Sequence, residues 1–335
     1  MTISEFELIR RYFANSEFQF SRSGVELGIG DDGALLKIPA DRLLVMSMDV
    51  LVESIHFPQQ ADPRLIAQRS LAVNLSDMAA MAAEPLCFTL GLTLPEANEK
   101  WLAEFSAGLL QMARQHNCPL VGGDTSRGPL QIAIQVQGLV ASDKVLRRSG
   151  ARPGDSIYVS GHLGDGAIAL LCMNLPSALG EEFAMEQQIL SESDRSHFLA
   201  AYYQPEPRLE LAQALAGLAT SGIDISDGLA GDLGHILKAS AVGAVLQLEK
   251  LPFSDAAMHS MSASNRQLAA LFGGDDYELC VTVPPALSAQ AEAAASAVGV
   301  PFTRIGEIVE GSGIRGVNPQ GRLQDFHREA FQHFR

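Results

Sequence analysis

Aspartates next to glycines recur in loops that are far apart along this chain. The loops are Gly30-Asp31-Asp32-Gly33, Gly122-Gly123-Asp124, Asp224-Ile225-Ser226-Asp227-Gly228 and Gly273-Gly274-Asp275-Asp276. Asp49 and Asp77 are further aspartates that lie in apolar segments. Gathered carboxylates repel one another unless a cation lies among them, and glycine lets the backbone approach a ligand closely. The pattern therefore predicts a site that holds several metal ions and handles a phosphorylated ligand.

Oxygen ligands from separate segments favour magnesium, which often bridges one or two carboxylates to phosphate groups. The aspartates that supply such ligands are Asp32, Asp49, Asp77, Asp124, Asp224 and Asp227. Each also has an ordinary structural explanation, such as a turn residue at Asp32 or a helix cap at Asp227. Asp77 is the sharpest case, because its helix is apolar nearly all round and is expected to be buried. The occurrence of these six aspartates in five separate segments favours the metal site.

Two familiar nucleotide-binding motifs do not account for the pattern. Gly28, Gly30 and Gly33 form a GxGxxG sequence, but Pro39 follows too soon for the helix that would bind a pyrophosphate. The chain also lacks the GxxxxGK[ST] sequence of a P-loop kinase. Without a P-loop lysine, divalent metal is the natural partner for nucleotide charge.

Composition narrows the class of protein further. The chain has 335 residues, which suggests about two domains, and 47% of them are hydrophobic. Its net charge of −15 argues against nucleic acid as a partner. The cysteines form no CxxC pair, the N-terminal segment lacks the apolar run of a signal peptide, and no membrane span is predicted. We therefore expect a cytoplasmic location.

The elements that must position the aspartates indicate an α/β fold with mixed sheets. The first half is predicted as ββαβαβ, with strands at 34–38, 43–52, 86–94 and 130–140 and helices at about 62–83 and 98–116. A polar turn at 149–155 is the best candidate for a domain boundary, which gives domains 1–148 and 149–335. In the second half, helices alternate with strands such as 302–309.

Two further residues have open roles. Arg148 lies near the predicted boundary, where it is either a surface arginine or binds phosphate oxygens through two parallel hydrogen bonds from its guanidinium group. His56 follows the strand that carries Asp49, and an isolated histidine is more often structural than functional.

The motifs together resemble those of the thiamine-monophosphate kinase family. The similar segments are GIGDDGALL (28–36), SMDVLVESIHF (47–57), LAVNLSDMAAM (71–81), GGDTSRGPL (122–130), RRSGARPGD (147–155), IDISDGLAGDLGH (223–235) and GGDDYEL (273–279). They cover essentially the whole chain in order. The wider superfamily includes aminoimidazole ribonucleotide synthetase and selenophosphate synthetase.

This resemblance implies specific site residues. Several Mg²⁺ ions would be held by Asp32, Ser47, Met48, Asp49, Asp77, Asp124, Asp224 and Asp227, with Met48 contributing its backbone carbonyl because the family often has threonine there. ATP would lie along Gly123, Asp124, Arg148 and Ser226. Thiamine monophosphate would contact His56, Asp275 and Phe331. Asp275 stands where the family commonly has glutamate, and Ala82 stands where it often has glycine.

The resemblance also implies the fold and the reaction. The fold would consist of two α/β domains, with the N-terminal sheets of two subunits pairing in a homodimer and the active site in the cleft between domains. ATP would donate its γ-phosphoryl group directly to thiamine monophosphate, giving thiamine diphosphate, with a possible monovalent cation beside Mg²⁺. Another ATP-dependent enzyme of the superfamily and a non-catalytic nucleotide- or metal-binding regulator are the alternatives.

Overall fold

The computed structural model describes residues 5–15, 17–175, 179, 190–318 and 322–325. The chain divides into two compact units. The first unit comprises Met1–Met78 and Ala83–Ser142, and the second comprises Ala79–Ala82 and Asp143–Arg335. The sequence-based boundary between residues 148 and 149 stays a prediction.

The first unit begins with a helix and a small hairpin. Helix α1 spans Glu5–Tyr12, and strand β1 (Val25–Leu27) pairs antiparallel with β2 (Leu35–Leu36). The glycine-rich loop connects these two strands. Since β2 follows Gly33 almost at once, the loop does not open a helix, and the GxGxxG sequence is not a dinucleotide-binding motif here.

Four longer strands form the main sheet of the first unit. They are β3 (Arg42–Val52), β4 (Glu84–Leu94), β5 (Leu120–Arg127) and β6 (Gln131–Ala141), in the order β3-β6-β4-β5. Strand β6 pairs antiparallel with β3 and β4, whereas β4 and β5 are parallel. Helix α2 (Pro63–Ala80) connects β3 to β4, and α3 (Glu99–Gln115) connects β4 to β5.

Helix α2 is buried along most of its length, as its apolar sequence predicts. Its fully buried side chains include Leu71, Leu75 and Met78. The helix ends at Ala80 rather than near Ala83, because Ala82 adopts a left-handed φ of 54°. This is the conformation that commonly closes a helix and that glycine adopts most easily.

The second unit alternates helices and strands. Its strands are β7 (Ser156–Ser160), β8 (Ser221–Asp224), β9 (Gly243–Gln247), β10 (Leu279–Val283), β11 (Phe302–Val309), β12 (Gly313–Val317) and β13 (Leu323–Asp325). Its helices are α4 (Asp165–Cys172), α5 (Glu192–Tyr203), α6 (Leu209–Leu215), α7 (Leu229–Ser240), α8 (Asp255–Ser260), α9 (Ala263–Phe272) and α10 (Ser288–Ala297).

These strands form one mixed sheet in the order β13-β12-β9-β11-β7-β10-β8. Strand β10 pairs antiparallel with β7 and β8, and its core side chains Leu279, Val281 and Val283 are fully buried. The pairing of β8 with β10 sets the loop after β8 beside the segment before β10. This juxtaposition builds the candidate site of the second unit.

The α/β fold class with mixed sheets, predicted from the sequence, is confirmed. The structure adds two strands to the predicted ββαβαβ order of the first unit, the short β1 and β5, so Gly122, Gly123 and Asp124 lie on a strand rather than in the predicted loop. It reproduces the strand at Phe302–Val309. In the described part of the chain, no helix is both long enough and apolar enough to cross a membrane.

Candidate active site

Strand β3 and helix α2 bring together three of the predicted metal ligands. The Ser47 hydroxyl donates a hydrogen bond of 2.5 Å to Oδ2 of Asp77, although thirty residues separate them. The Asp49 backbone N–H donates to Oδ1 of the buried Asn74 at 3.1 Å. Ser47, Asp49 and Asp77 therefore line the contact between β3 and α2, where their oxygens offer the hard ligands that Mg²⁺ prefers.

A second group of predicted residues lines one cavity in the same unit. This cavity measures about 310 Å³ and is enclosed by the loop between β1 and β2 and by the middle of β5. Asp32, Gly123 and Asp124 all line it. The Ser126 hydroxyl donates to Oδ2 of Asp124 at 3.2 Å. The cavity thus joins two carboxylates to a glycine backbone, as a site for a metal-bound phosphate requires.

The strand register places both groups at the same level of the sheet. Asp49 pairs with Ile134, which pairs with Leu90, which pairs with Gly123. The alignment therefore runs across all four strands, in the order β3, β6, β4 and β5.

His56 is held at the end of β3. Its Nδ1 accepts a hydrogen bond of 3.0 Å from the Val52 N–H. Because Nδ1 is the acceptor, the neutral ring carries its proton on Nε2, and that nitrogen can donate to a phosphate oxygen. A left-handed Ser54, with φ of 67°, makes the tight turn that returns His56 to the strand.

In the second unit, Asp224 ends β8 and is buried. The loop after it is held by Asp232 of α7, whose Oδ2 accepts from the N–H groups of Ser226 and Asp227 at 3.0 Å each. Burial, and next the negative charge of Asp224, raise the pKa of Asp232 well above its ordinary value. These crowded carboxyl groups would be relieved by a cation beside the loop.

The segment Gly274–Glu278 lies against that loop. The Asp275 N–H donates to the Ser226 carbonyl and the Tyr277 N–H donates to the Ile225 carbonyl, both at 2.8 Å. Asp275 and Tyr277 both have left-handed φ angles, of 63° and 52°. Such conformations cost about 1–3 kcal/mol each in non-glycine residues and persist where the surroundings enforce them.

Asp276 ties the segment Gly274–Glu278 to the start of α4. Its carboxylate accepts hydrogen bonds of 2.8–3.2 Å from the N–H groups of Gly164 and Gly166 at the start of α4. Burial, above all, raises the pKa of Asp276 well above its ordinary value. The two neighbouring aspartates of the GGDD sequence therefore differ, because Asp276 anchors the segment while Asp275 lies beside the Ser226 loop.

Arg148 and Phe331 were also predicted to contact ligands. Arg148 is exposed, and its carbonyl accepts a hydrogen bond of 3.4 Å from Ser240 at the end of α7. The neighbouring Arg147 carbonyl accepts from the Gly222 N–H at 2.9 Å, which places this segment at the start of β8 rather than at the loop after it. Phe331 lies outside the described residues. The roles of both in ligand binding stay predictions.

Sequence reasoning missed the residues that hold the loops in place. These are Asp232, Asp276, Arg208 and Glu278. The available signal was charge in an apolar context, because Asp232 falls within a helical segment of leucines and glycines and Glu278 directly precedes a strand of core residues. Charged residues in such places require partners.

The donor set fits magnesium. In the part of the chain that the structure describes, no group of three or more histidine, cysteine, aspartate or glutamate residues is arranged to hold a metal. The acidic residues predicted as ligands instead occur with hydroxyl and amide oxygens, as with Ser47, Asp77 and Asn74. Mg²⁺ suits such sites because it takes one or two carboxylates together with substrate phosphates and water.

Comparison with known proteins shows the family of this chain. The family model of the AIR synthase related protein N-terminal domain matches residues 30–140 of the sequence, and the family model of the C-terminal domain matches residues 152–317. A thiamine-monophosphate kinase of Salmonella typhimurium is 42% identical over 336 residues, which cover 100% of this chain and 99% of the relative. The chain belongs to the thiamine-monophosphate kinase family. A family member from Escherichia coli is 45% identical over 308 residues, covering 92% of this chain and 91% of the relative.

Solved structures of the thiamine-monophosphate kinase family share the fold. The enzyme from Stenotrophomonas maltophilia matches with a TM-score of 0.84 and 38% identity over 97% of this chain and 99% of that one. AaThiL, solved in complex with AMPPCP and TMP, matches with a TM-score of 0.74 and 27% identity over 91% of this chain and 92% of that one. Hydrogenase maturation protein HypE in complex with ATP, at 21% identity and a TM-score of 0.73, shows likeness of fold alone.

Proposed function

We propose that this protein transfers the γ-phosphoryl group of ATP to thiamine monophosphate and releases thiamine diphosphate and ADP. The observation that carries the proposal is whole-length similarity to thiamine-monophosphate kinases, including 42% identity over 100% of the chain. The carboxylate groups around Asp77 and Asp124, in the first unit, and the Asp224 loop, in the second, supply the ligands that this chemistry needs.

The proposed ligands follow the geometry of each unit. In the first unit, Ser47, Asp49 and Asp77 lie on β3 and α2, and the carbonyl of Met48 belongs to the same strand. Asp32 and Asp124 line the loop cavity, and Asp224 and Asp227 flank Ser226 in the second unit. When bound, Mg²⁺ would shield the repulsion between the two phosphate groups and neutralise charge on the transferred group.

The remaining steps fall to the chain itself. The backbone of Gly123 approaches the nucleotide closely, while the Ser226 hydroxyl and the Arg148 guanidinium bind phosphate oxygens. His56 donates from Nε2 to the acceptor phosphate, and Asp275 and Phe331 contact the thiamine part. No general base is needed, because a phosphate monoester has its second pKa at about 6 and is mostly ionised at neutral pH. Transfer is direct and in line, without a phosphoenzyme.

We also propose a homodimer formed through the main sheet of the first unit. Strand β3 lies at the edge of that sheet, and its alternating residues Leu44, Met46 and Met48 are 39%, 54% and 55% exposed. A long apolar edge strand left in water favours pairing with another chain. A second copy of β3 presents the same residues, so a two-fold interface would cover the exposed apolar side chains of β3 in both subunits.

The proposed location is the cytoplasm. Its support is the state of the cysteines, since Cys87, Cys118, Cys172 and Cys280 are all free and buried. Free thiols are typical of a reducing compartment.

The deciding experiment compares two acceptors in the presence of MgATP. Thiamine monophosphate should be converted to thiamine diphosphate, whereas free thiamine should react poorly, because its hydroxyl would need a base and it lacks the phosphate that binds metal. Products are separated by chromatography, and the Asp124→Asn variant serves as the inactive control. Comparable turnover of the two acceptors, or none with the monophosphate, would show that the assignment is wrong.

A further inference from the structure

A buried ion pair lies next to the strained segment Gly274–Tyr277. Nε and Nη2 of Arg208 donate to the two carboxylate oxygens of Glu278 at 2.7 and 2.5 Å. The side chains of Arg208 and Glu278 are only 16% and 9% exposed. Two parallel hydrogen bonds between planar groups fix orientation as well as distance.

Glu278 has a third partner that ties it to the sheet. The Ser160 hydroxyl donates to Oε2 of Glu278, and the same Ser160 oxygen accepts from the Leu279 N–H at 2.8 Å. Ser160 ends β7 and Leu279 begins β10. The carboxylate is therefore fixed between α6, which follows Arg208, and the neighbouring strands β7 and β10 of the sheet.

The segment before Glu278 needs such an anchor. Asp275 and Tyr277 are both left-handed, and Gly274 approaches the neighbouring loop so closely that a Cβ there would lie 2.4 Å from the Ser226 carbonyl oxygen. Strained backbone persists only when contacts on both sides enforce it. Asp276 supplies one anchor at α4, and the Glu278 pair supplies the other at the C-terminal end of the segment.

We propose that Arg208 is a positioning residue that, through Glu278, sets the place of Asp275 beside the Ser226 loop and so governs use of the phosphate-ester acceptor. The inference rests on the proposed function, because that function assigns Asp275 to the acceptor. The nucleotide side has its own anchor, since Asp232 holds the N–H groups of Ser226 and Asp227. Arg208 therefore acts mainly on the acceptor side.

The test is Arg208→Lys, which keeps the positive charge and loses the two parallel hydrogen bonds to Glu278. We expect the KM for thiamine monophosphate to rise and its kcat/KM to fall by about tenfold to a hundredfold, the usual effect of a displacement near 1 Å. The KM for MgATP should change by less than about threefold, well below one factor of ten in affinity. Glu206→Gln is the matched control, because it removes only the 71% exposed partner of the same arginine.

Amide hydrogen exchange gives a readout that does not depend on activity. The N–H groups of Asp275 and Tyr277, which bond Ser226 and Ile225, should exchange faster in Arg208→Lys, while the Gly222 N–H, bonded to Arg147, should be unaffected. If the wild type does not use thiamine monophosphate, the proposed function fails, and the exchange result still decides the positioning role. Wild-type kinetics for both substrates together with wild-type exchange would overturn it.

A double variant with a neutral pair of side chains separates the positioning role of Arg208 from a loss of folding. Removing one partner leaves a buried charge, whereas replacing both partners is often tolerated. The double variant Arg208→Met, Glu278→Gln keeps a carboxamide oxygen for the Ser160 hydroxyl and removes the two parallel hydrogen bonds. A raised KM for thiamine monophosphate in this folded variant supports the inference, and wild-type values of KM and kcat would show that the ion pair serves stability alone.

Discussion

Replacing Gly123 with alanine tests how closely β4 and β5 must approach at the candidate ATP site. Gly123 pairs with Leu90 and has a φ of 149°. A Cβ at Gly123 would lie 1.9 Å from the Leu90 carbonyl oxygen and 2.9 Å from its backbone nitrogen. These are backbone atoms of a paired strand, so rotating a side chain cannot relieve the clash and the two strands must move apart.

The cost of Gly123→Ala can be worked from these contacts. Backbone strain in a region reserved for glycine costs about 1–3 kcal/mol, and overpacking a paired strand adds about 1–3 kcal/mol. We expect the free energy of unfolding to fall by about 4 kcal/mol, which lowers the Tm by roughly 10 °C. Calorimetry and denaturant unfolding measure both quantities, and the KM for ATP should rise because β5 lines the loop cavity.

Gly91→Ala is the matched control for this change. Gly91 is the neighbour of Leu90 in β4, but a Cβ there would meet the Ala133 Cβ at an ordinary 3.5 Å. Since glycine within a strand costs about 0.5–1 kcal/mol relative to alanine, Gly91→Ala should be neutral or slightly more stable. Equal Tm values for the two variants, with an unchanged KM for ATP, would refute the argument from close approach.

Three other changes test the metal site, an ion pair and the proposed dimer. Asp77→Asn removes the carboxylate charge but keeps an oxygen for the Ser47 hydroxyl, so it should abolish activity and reduce the stabilisation by MgATP. In EDTA the variant should melt at or above the wild-type temperature, and a much lower Tm in EDTA would show that Asp77 has a structural role. The hydrogen bond to Asp165 raises the pKa of His197 above 6.5, so the pair stabilises the fold fully below pH 6.5 and less as pH rises through the folded pKa. Because the His197 side chain is nearly half exposed, the pair contributes at most about 1 kcal/mol to the free energy of unfolding. Unfolding measured at pH 6 and 8.5 should show that this contribution is lost at the higher pH in the wild type and is absent in His197→Gln. Met46→Lys should convert a dimer to a folded monomer in sedimentation experiments, and an unchanged sedimentation coefficient would argue against pairing through β3.

Local sequence signals predicted much of the fold. The helix predicted at about 62–83 is α2, which begins at Pro63, and its apolar surface correctly predicted burial. Signals of this kind work because a helix or strand is decided by neighbouring residues and by the period of its apolar side chains. The prediction was less accurate where a single residue takes an unusual conformation, since left-handed Ala82 ends α2 at Ala80 rather than near residue 83.

The sequence by itself determined which chemical groups are available, namely aspartates and glycines in separate segments, and the family to which the chain belongs. Only the tertiary structure decided which of these groups meet. Ser47 reaches Asp77 across thirty residues and Arg208 reaches Glu278 across seventy. The tertiary structure also distinguished Asp276, which anchors its segment to α4, from Asp275, which lies beside the Ser226 loop, although the two are neighbours of the same type in the sequence. The physical reason is that contacts between distant segments depend on strand register and helix packing, which are set by the whole core rather than by nearby residues.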